Sequence, residues 1–359
     1  MKIIQILPTL SYGDAIGNHV LALRKLISSM GYKTDIYAEN IDARIPKGMG
    51  TSIEKLPDLE ENDIVIYHLS TETKLNEMIG GFKGIKIIQY HNITPPQFFS
   101  KYNLGMKNRT ACGLEQARKL AVQAEYYLAD STFNKNELIK MGYRQNIDVL
   151  PILINFEDYK QNASEVVQKR YGDKKKNLLF VGRVAPNKRQ EDIIKAFFYY
   201  KKYMNSEARL FLVGNYGGLE TYYERLKAYV YRLELQDVYF TGHISFDEIL
   251  AYYKIADLFV CMSEHEGFCV PLLEAMYFHV PVLAYDSSAV GETMGDGGVL
   301  LHEKNPQKTA LWMKEMLENT ELRKDIINRQ ERRMKVFEYE KTSWAYRAYL
   351  EHVIEKAGI

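Results

Sequence analysis

The chain has 359 residues, of which 46% are hydrophobic and 26% are charged, a composition typical of globular proteins. Its 47 lysines and arginines balance 46 aspartates and glutamates, which excludes the strong basic field that would recruit nucleic acid. The length suits two domains rather than one core. Three cysteines without a CxxC pair argue against a disulfide framework and favour a reducing cytoplasm.

The first part of the chain alternates between strand-like and helix-like segments. Gln5 and Pro8 interrupt the opening apolar run, so we predict a first strand there rather than a targeting segment. The next segment predicts a helix from about Asn18 to Met30, with Asn18 as its N-cap. The other predicted strands are 34–38, 64–68, 86–91, 126–129 and 147–150, after a first at 2–7, and the other helices are 71–79, 113–124 and 133–141. No stretch reaches the roughly 18 apolar residues that a membrane-spanning helix needs.

Lysines gather at 162–176, where we predict the connection between two domains. The alternation then resumes with strands at 177–181, 208–213, 238–241, 255–262 and 280–284, and with helices at 191–204, 220–233, 245–254, 271–278, 308–317 and 322–356. The last helical segment has a predicted break near Ser343. This β/α alternation predicts parallel doubly wound sheets. Their ligands bind at the carboxyl ends of strands, here facing a cleft between the two domains.

Two glutamates, Glu266 and Glu274, flank a loop with seven residues between them. An apolar strand precedes this loop, and Pro271 suits the first position of a following helix because its missing N–H costs nothing there. The loop should therefore present backbone N–H groups at a helix N-terminus, which attracts anions. Two carboxylates beside an anion site predict a ligand with both phosphate and hydroxyl groups, such as a nucleotide sugar.

Two other loops could contact the same ligand. After strand 177–181, Gly182 permits a tight turn, and Arg183 and Lys188 could neutralise a diphosphate unless the loop is only a solvated basic segment. In the first loop of the chain, Gly13 and Gly17 permit close approach of a phosphate or sugar. The loops at 213–218, 240–245 and 286–293 follow strands as well, and each is either a turn or a further ligand contact.

Histidines also follow predicted strands. His91 ends one strand and opens a proline-rich loop, so it either faces a ligand or is satisfied within that loop. We expect His68 to be structural, while His265 is open between the two roles. The sequence has neither an Asp-x-Asp pair nor a phosphate-binding G-x-x-x-x-G-K-[ST] motif, so it supports neither a metal-bridged diphosphate nor phosphoryl transfer from such a loop.

One basic stretch stands apart from these loops. Residues 101–119 carry five cations against the single acid Glu115, and Phe98, Phe99 and Tyr102 lie near its start. Aromatic side chains beside lysines can rest on an anionic membrane surface. The alternative is a solvated helix face over the core.

Over nearly all of its length, the chain resembles the retaining GT-B glycosyltransferases of family 4 (glycosyl transferases group 1), and among these the mannosyltransferase-like members. The resemblance rests on the Glu266-x7-Glu274 element, the loop from Gly182 through Arg183 to Lys188, the Gly13/Gly17 loop and the strand-end pair His91-Asn92. The resemblance implies an α/β fold of two doubly wound, Rossmann-like domains facing a cleft. Residues 1–165 with 340–359 would form the acceptor-side domain, and 166–339 the donor-binding domain.

The resemblance also implies roles for individual residues. Arg183 and Lys188 would hold the donor diphosphate, Glu266 would contact the donor sugar, and His91 would hydrogen-bond the transferred sugar. The remaining implied donor contacts are Gly17, Gly182, Gly267, Phe268, Cys269, Val270 and the ribose ligand Glu274. The first loop departs from the family pattern because many members have adjacent glycines there.

The implied activity is transfer of a hexose from a nucleoside diphosphate sugar to a glycan or lipid-linked glycan, as in polysaccharide biosynthesis, with retention of configuration. GDP-mannose is slightly preferred as donor, and neither a metal nor another cofactor is expected. The expected location is cytoplasmic, with peripheral contact at the inner face of the membrane left open. The alternatives are a nucleotide-sugar epimerase of similar fold and a non-catalytic nucleotide-sugar-binding protein.

Overall fold

A computed structural model of the protein describes residues 1–144 and 147–359. Within these, the contacts divide the chain into two units. Unit 1 comprises Met1–Pro96, Gly105–Asn155 and Val336–Ile359, and unit 2 comprises Gln97–Leu104 and Phe156–Lys335. That the chain forms two domains with boundaries at residues 165 and 340 stays a prediction.

Unit 1 contains a parallel sheet in which the described strands run in the order β3-β2-β1-β4-β5-β6-β7. Its first elements are β1 (Ile3–Leu10), α1 (Ala15–Ser29), β2 (Ile36–Ile41), β3 (Thr51–Ser52), β4 (Ile64–Leu69), α2 (Leu75–Met78), β5 (Ile85–Tyr90), α3 (Leu104–Lys119), β6 (Tyr126–Ala129), α4 (Thr132–Met141) and β7 (Ile147–Val149). Because the order reverses between β1 and β4, a topological switch point lies there.

Unit 2 contains a second parallel sheet with the order β10-β9-β8-β11-β12-β13 among the described strands. Its elements are α5 (Glu165–Tyr171), β8 (Asn177–Val181), α6 (Gln190–Tyr203), β9 (Arg209–Val213), α7 (Glu220–Arg232), β10 (Val238–Gly242), α8 (Phe246–Ile255), β11 (Leu258–Cys261), α9 (Val270–Tyr277), β12 (Val282–Tyr285), α10 (Val290–Met294), β13 (Val299–Leu301), α11 (Pro306–Glu318) and α12 (Thr320–Met334). The chain then returns to unit 1 as α13 (Tyr339–Ala357). The switch point of this sheet lies between β8 and β11.

Both faces of the unit 1 sheet are buried, as expected of a parallel sheet covered by helices. Successive residues of β4 alternate between two core clusters: Val65 and Tyr67 belong to one, and Ile64 and Ile66 to the other. The second cluster includes apolar residues of α1 and α13. The predicted doubly wound α/β fold is confirmed in both units.

Several predicted boundaries were wrong. The helix α1 begins at Ala15, because Asp14 rather than Asn18 is its cap and accepts a hydrogen bond from the Gly17 N–H. Residues 162–176 include α5, which packs on α8 within unit 2, so they are not a plain connection. The break in the last helical segment lies at residues 335–338, not at Ser343. The elements β3, β13 and α10 were not predicted. Within the described residues, no helix is long and apolar enough to cross a bilayer.

Candidate functional site

The switch point of unit 2 brings two predicted ligand loops together. Strands β8 and β11 pair directly, with Leu258 opposite Leu178 and Phe259 opposite Leu179. The loop 182–189 follows β8, and the loop 262–269 follows β11. Because the strands are parallel, both loops leave from the same edge of the sheet, where ligands of doubly wound folds bind.

The loop 182–189 begins where two backbone segments lie too close together for a side chain to fit between them. A Cβ atom on Gly214 would lie 2.0 Å from the Gly182 carbonyl oxygen, and Gly182 itself has a φ of +151°. The next residue, Arg183, is exposed, and its guanidinium donates a hydrogen bond to the Gly217 carbonyl at 2.7 Å. The loops after β8 and β9 are thereby joined, and Arg183 stays at the surface of the site.

Lys188 and Glu266 form an ion pair across the two loops. The ammonium and the carboxylate are 2.5 Å apart, and the side chains are 20% and 10% exposed. Burial disfavours the ammonium, but the attraction of Glu266 outweighs it, so the pKa of Lys188 is raised above its ordinary value. Lys188 is therefore a cation at neutral pH, and the structure places these two predicted site residues in direct contact.

Neighbouring residues hold the glutamate loop in place. The Glu264 N–H donates to the Asn187 carbonyl at 2.7 Å, and the Asn187 amide donates to the His265 carbonyl at 3.1 Å. The Glu266 N–H donates to the Ser288 hydroxyl at 2.8 Å. The sequence left the segment around Ser288 open between a turn and a ligand contact, and its hydroxyl supports Glu266. No sequence motif marked Asn187 for this supporting role.

The end of the glutamate loop leads directly into α9. Cys269 is the N-cap in the left-handed region, with a φ of +76°, and makes no side-chain capping hydrogen bond. The helix begins at Val270, so Pro271 occupies its second position rather than the predicted first. The Thr293 hydroxyl donates to the Phe268 carbonyl at 2.5 Å. Because the Cys269 side chain does not cap this N-terminus, the segment after Gly267 keeps the geometry expected of an anion site.

Glu274 is engaged by two tyrosines. One carboxylate oxygen accepts the Tyr159 hydroxyl at 2.7 Å, and the other accepts the Tyr253 hydroxyl at 2.6 Å. Burial raises the pKa of Glu274 above its ordinary value, although both hydrogen bonds oppose this. The tyrosines fix the orientation of the carboxylate that the sequence assigned to a ribose. Sequence reasoning missed both, and Tyr159 lies in a short 3-10 helix, Phe156–Lys160.

A second group of charges lies beside the glutamate loop. The Lys304 ammonium lies 2.8 Å from Glu264 and 3.0 Å from Asp192. Arg189 also contacts both acids, at 3.3 Å and 3.1 Å. Burial alone would raise the pKa of Asp192, but Lys304 and Arg189 lower it. Since Glu264 has these partners within unit 2, its role is to hold the loop. No sequence motif pointed to Lys304.

Among the residues that the structure describes, two groups of side chains have the residue types and the spacing for a metal ion. In unit 2, ligand atoms of Cys261, Glu266 and Cys269 lie within 4.8 Å of one another. Glu266 is already paired with Lys188, so a cation there would compete with an ammonium. In unit 1, His19, His68 and His91 form the other group, and hydrogen bonds within the protein engage their ring nitrogens.

His91 lies at the end of β5, as predicted, but it is buried. Its Nδ1 atom is 2.7 Å from a carboxylate oxygen of Asp130, and its Nε2 atom is 2.8 Å from Nδ1 of His68. The side chains of His91 and Asp130 are each 1% exposed. Both ring nitrogens of His91 therefore have protein partners, and sequence reasoning missed Asp130.

Gly17 lies in the first turn of α1. A Cβ atom there would come 2.2 Å from the Ser11 carbonyl oxygen, so only glycine fits beneath the first loop. Its N–H donates to the Asp14 carboxylate at 2.5 Å. In this structure, the packing of the first loop onto α1 explains why residue 17 is a glycine.

Comparison with known proteins defines the class. The protein HepE from Anabaena, in complex with UDP-glucose, is 18% identical, with a TM-score of 0.75 over 98% of this chain and 100% of that chain. The fold is therefore GT-B. Residues 162–333 match the family described as glycosyl transferases group 1, and the chain carries a domain of this family there.

Curated relatives agree with this assignment. An uncharacterized glycosyltransferase of Methanocaldococcus jannaschii is 29% identical over 208 residues, covering 56% of this chain and 52% of that protein. A GDP-mannose-dependent alpha-mannosyltransferase of Mycobacterium tuberculosis is 28% identical over 255 residues, covering 68% and 61%. The chain thus spans less than two thirds of the length of these curated relatives.

Proposed function

We propose that this protein is a retaining glycosyltransferase that moves a hexose from a nucleoside diphosphate sugar to a glycan or lipid-linked glycan. The observation that carries the proposal is the contact between Lys188 and Glu266 at the switch point of a group 1 glycosyl transferase domain. It supports a site that offers both a cation for phosphate and a carboxylate for sugar hydroxyls.

Lys188 and Arg183 would supply the positive charge that departure of a diphosphate requires. Negative charge grows on the leaving phosphate as the glycosidic bond breaks, and fixed cations stabilise that charge. Lys188 is held as a cation beside Glu266, and Arg183 adds an exposed guanidinium on the same loop. With two cations on the loop, we propose a reaction that needs no metal and no other cofactor. The donor phosphate then takes the acceptor proton.

The carboxylates hold the donor rather than acting as bases. Glu266 would accept hydroxyls of the sugar, and the backbone of residues 267–270 would contact sugar and phosphate. Glu274 would accept a ribose hydroxyl, since a carboxylate offers about four acceptor positions and the two tyrosines occupy one on each oxygen.

For the donor we propose GDP-mannose. The relative from Mycobacterium tuberculosis is named for dependence on this donor, whereas HepE, at lower identity, was solved with UDP-glucose. The acceptor class and a role in polysaccharide biosynthesis come from the family resemblance.

We also propose a cytoplasmic location, with peripheral contact of the stretch 101–119 at the inner face of the membrane. Arg118 pairs with Glu115 at 3.2 Å and Arg109 with Glu72 at 3.7 Å, which reduces the free charge of this stretch. Flotation with anionic vesicles at low and high salt tests the contact, and absence of binding at both would contradict it.

The central test is a metal-free thermal-shift panel of GDP, UDP, ADP and their sugars, followed by transfer assays with the best donor. A ligand at about 100 times its Kd stabilises by roughly 2.7 kcal/mol, which is readily measured. We expect GDP-mannose to stabilise most and its mannose to appear in product only when an acceptor is added. Conversion of the donor alone would indicate an epimerase, and binding without transfer or hydrolysis a non-catalytic protein.

A matched pair of variants tests the site assignment. Arg183→Ala should weaken GDP binding about tenfold, the effect of losing one exposed charge contact worth about 1.4 kcal/mol. Arg232→Ala, which removes an exposed arginine at the end of α7, is the control and should leave GDP binding unchanged. Equal affinities in both variants would contradict the role of Arg183.

A further inference from the structure

A network of buried polar side chains lies beside the switch point of unit 1. The proposed function does not say which of its atoms carry protons. Its members are side chains that are each 8% exposed or less: His19, His68, His91, Gln5, Gln89, Asp130 and Tyr346. Buried polar groups must satisfy one another, so the direction of each hydrogen bond in such a network can be deduced.

The two glutamines fix the directions. The Gln5 amide nitrogen donates to the Val20 carbonyl at 3.0 Å, so its oxygen is the atom that lies 3.1 Å from Nε2 of His68. An amide oxygen only accepts, and His68 must therefore carry a proton on Nε2. In the same way, the Gln89 nitrogen donates to the Asp130 carboxylate at 3.0 Å, and its oxygen faces Nε2 of His19 at 3.1 Å.

His19 is consequently a neutral ring. The Leu153 N–H donates to its Nδ1 atom at 3.0 Å, so this nitrogen has no proton, while Nε2 donates to Gln89. Burial and the neighbouring His91 lower the pKa of His19 to about 4, in agreement with this assignment.

The pair of His68 and His91 holds one proton more than two neutral rings would. Their facing nitrogens are 2.8 Å apart, and two lone pairs at this distance would repel, so one proton lies between them. Nδ1 of His91 faces the Asp130 carboxylate and carries a second proton, and Nε2 of His68 carries the third. Burial, together with the charge of His91, lowers the pKa of His68 well below its ordinary value, so the shared proton belongs to His91.

We propose that Asp130 holds His91 as an imidazolium cation, with His68 as its neutral hydrogen-bond acceptor, in a buried ion pair beside the switch point of unit 1. The ion pair is fully buried, and its charges compensate each other at 2.7 Å. Among the other titratable groups that face His91, His19 and Tyr346 are neutral, and the Asp14 carboxylate interacts with its charge. Asp130 is thus a positioning residue for His91.

One consequence rests on the proposed function. Since Asp130 and His68 occupy both ring nitrogens, His91 has no N–H left to donate to the transferred sugar.

The protonation is measured by nitrogen NMR on the full chain with labelled histidine, recorded from pH 6 to 9. We expect one imidazole that keeps protons on both nitrogens over this range, coupled through a hydrogen bond to a neutral ring. If all buried histidines are neutral at pH 7, the proposal is wrong. This measurement needs neither a variant nor a substrate, so it decides the protonation even if the protein proves not to transfer sugar.

The role of Asp130 is tested with Asp130→Asn, which keeps the size and removes the charge. The doubly protonated ring should disappear at neutral pH, while Asp148→Asn, at an exposed carboxylate on the neighbouring strand β7, should retain it. A persistent imidazolium in Asp130→Asn would contradict the role of Asp130.

Discussion

The two sheets place charged groups at the same topological position but treat them in opposite ways. Beside the switch point of unit 1, His68 in β4, His91 after β5 and Asp130 after β6 are buried and pair with one another. Between β8 and β11, Lys188 and Glu266 pair with each other but keep part of their surface, and Arg183 is exposed. The topology therefore fixes where polar groups collect, while the neighbouring side chains decide whether they form a closed network or an open binding site.

The comparison predicts that the closed network matters most for stability. Asp130→Ala removes one partner of a buried ion pair and should lower the free energy of unfolding by about 3–5 kcal/mol. Asp148→Ala removes an exposed carboxylate and should change it by less than about 0.5 kcal/mol. Urea unfolding of both variants makes the measurement. Equal losses would mean that the network of unit 1 is not the stabilising element we describe.

The open site should matter most for activity. Lys188→Ala removes the cation that we propose to stabilise the leaving phosphate, and we expect kcat to fall about 10²- to 10³-fold, or roughly 3–4 kcal/mol. The control is Lys314→Ala, whose ammonium lies 3.9 Å from Glu318 on an exposed helix face. Steady-state transfer assays on both variants give the result. A wild-type rate in Lys188→Ala would remove this residue from the reaction.

Within unit 2, loss of a tyrosine hydroxyl that supports Glu274 should lower the free energy of unfolding by an intermediate amount. Tyr253→Phe deletes one of its two hydroxyl donors, and a lost hydrogen bond to a charged group costs about 1.5–3 kcal/mol. Tyr203→Phe, at a tyrosine that is 64% exposed, should be neutral. Urea unfolding compares the variants, and an unchanged stability of Tyr253→Phe would show that Tyr159 alone suffices.

Acid should weaken both units through buried histidines, among them His19 in unit 1 and His265 in unit 2. Burial is the main cause that lowers the pKa values of His19 in unit 1 and His265 in unit 2 from 6.5 to about 4. As the pH falls from 6.5, the unfolded chain therefore takes up protons first, and the free energy of unfolding decreases. The expected slope is about 1.4 kcal/mol per pH unit for each histidine down to about pH 4. His19→Gln and His265→Gln should each remove one such slope from the pH dependence of urea unfolding, and an unchanged dependence would contradict the assignment.

Much of the fold could be predicted because strands and loops leave local signals. The strands 126–129 and 177–181 have the predicted bounds, since short apolar runs end there at polar loops. The loop carrying Lys188 and the loop carrying Glu266 were also identified, because each follows a strand directly. Their contact required only that two parallel strands lie side by side, which alternation of strands and helices already indicates.

The remaining contacts depend on partners far apart in the chain. Glu274 meets Tyr159 across 115 positions, and His91 meets Asp130 across 39. Strand register and helix packing bring these side chains together, and neither is encoded in a local pattern. The start of α1 shows a subtler limit: both Asp14 and Asn18 can cap a helix, and the close fit of Gly17 under the Ser11 carbonyl favours the earlier start.

The placement of α13 has a consequence for how the protein is made. Tyr346 donates to the Pro151 carbonyl and accepts from Gln89, and its ring lies in a core cluster of unit 1. A ribosome, however, synthesises all of unit 2 before this helix emerges. Unit 2 can therefore complete its core during synthesis, while unit 1 must wait with an open helix site and an unfinished polar network. We expect unit 1, which comes first in the sequence, to complete its core after unit 2.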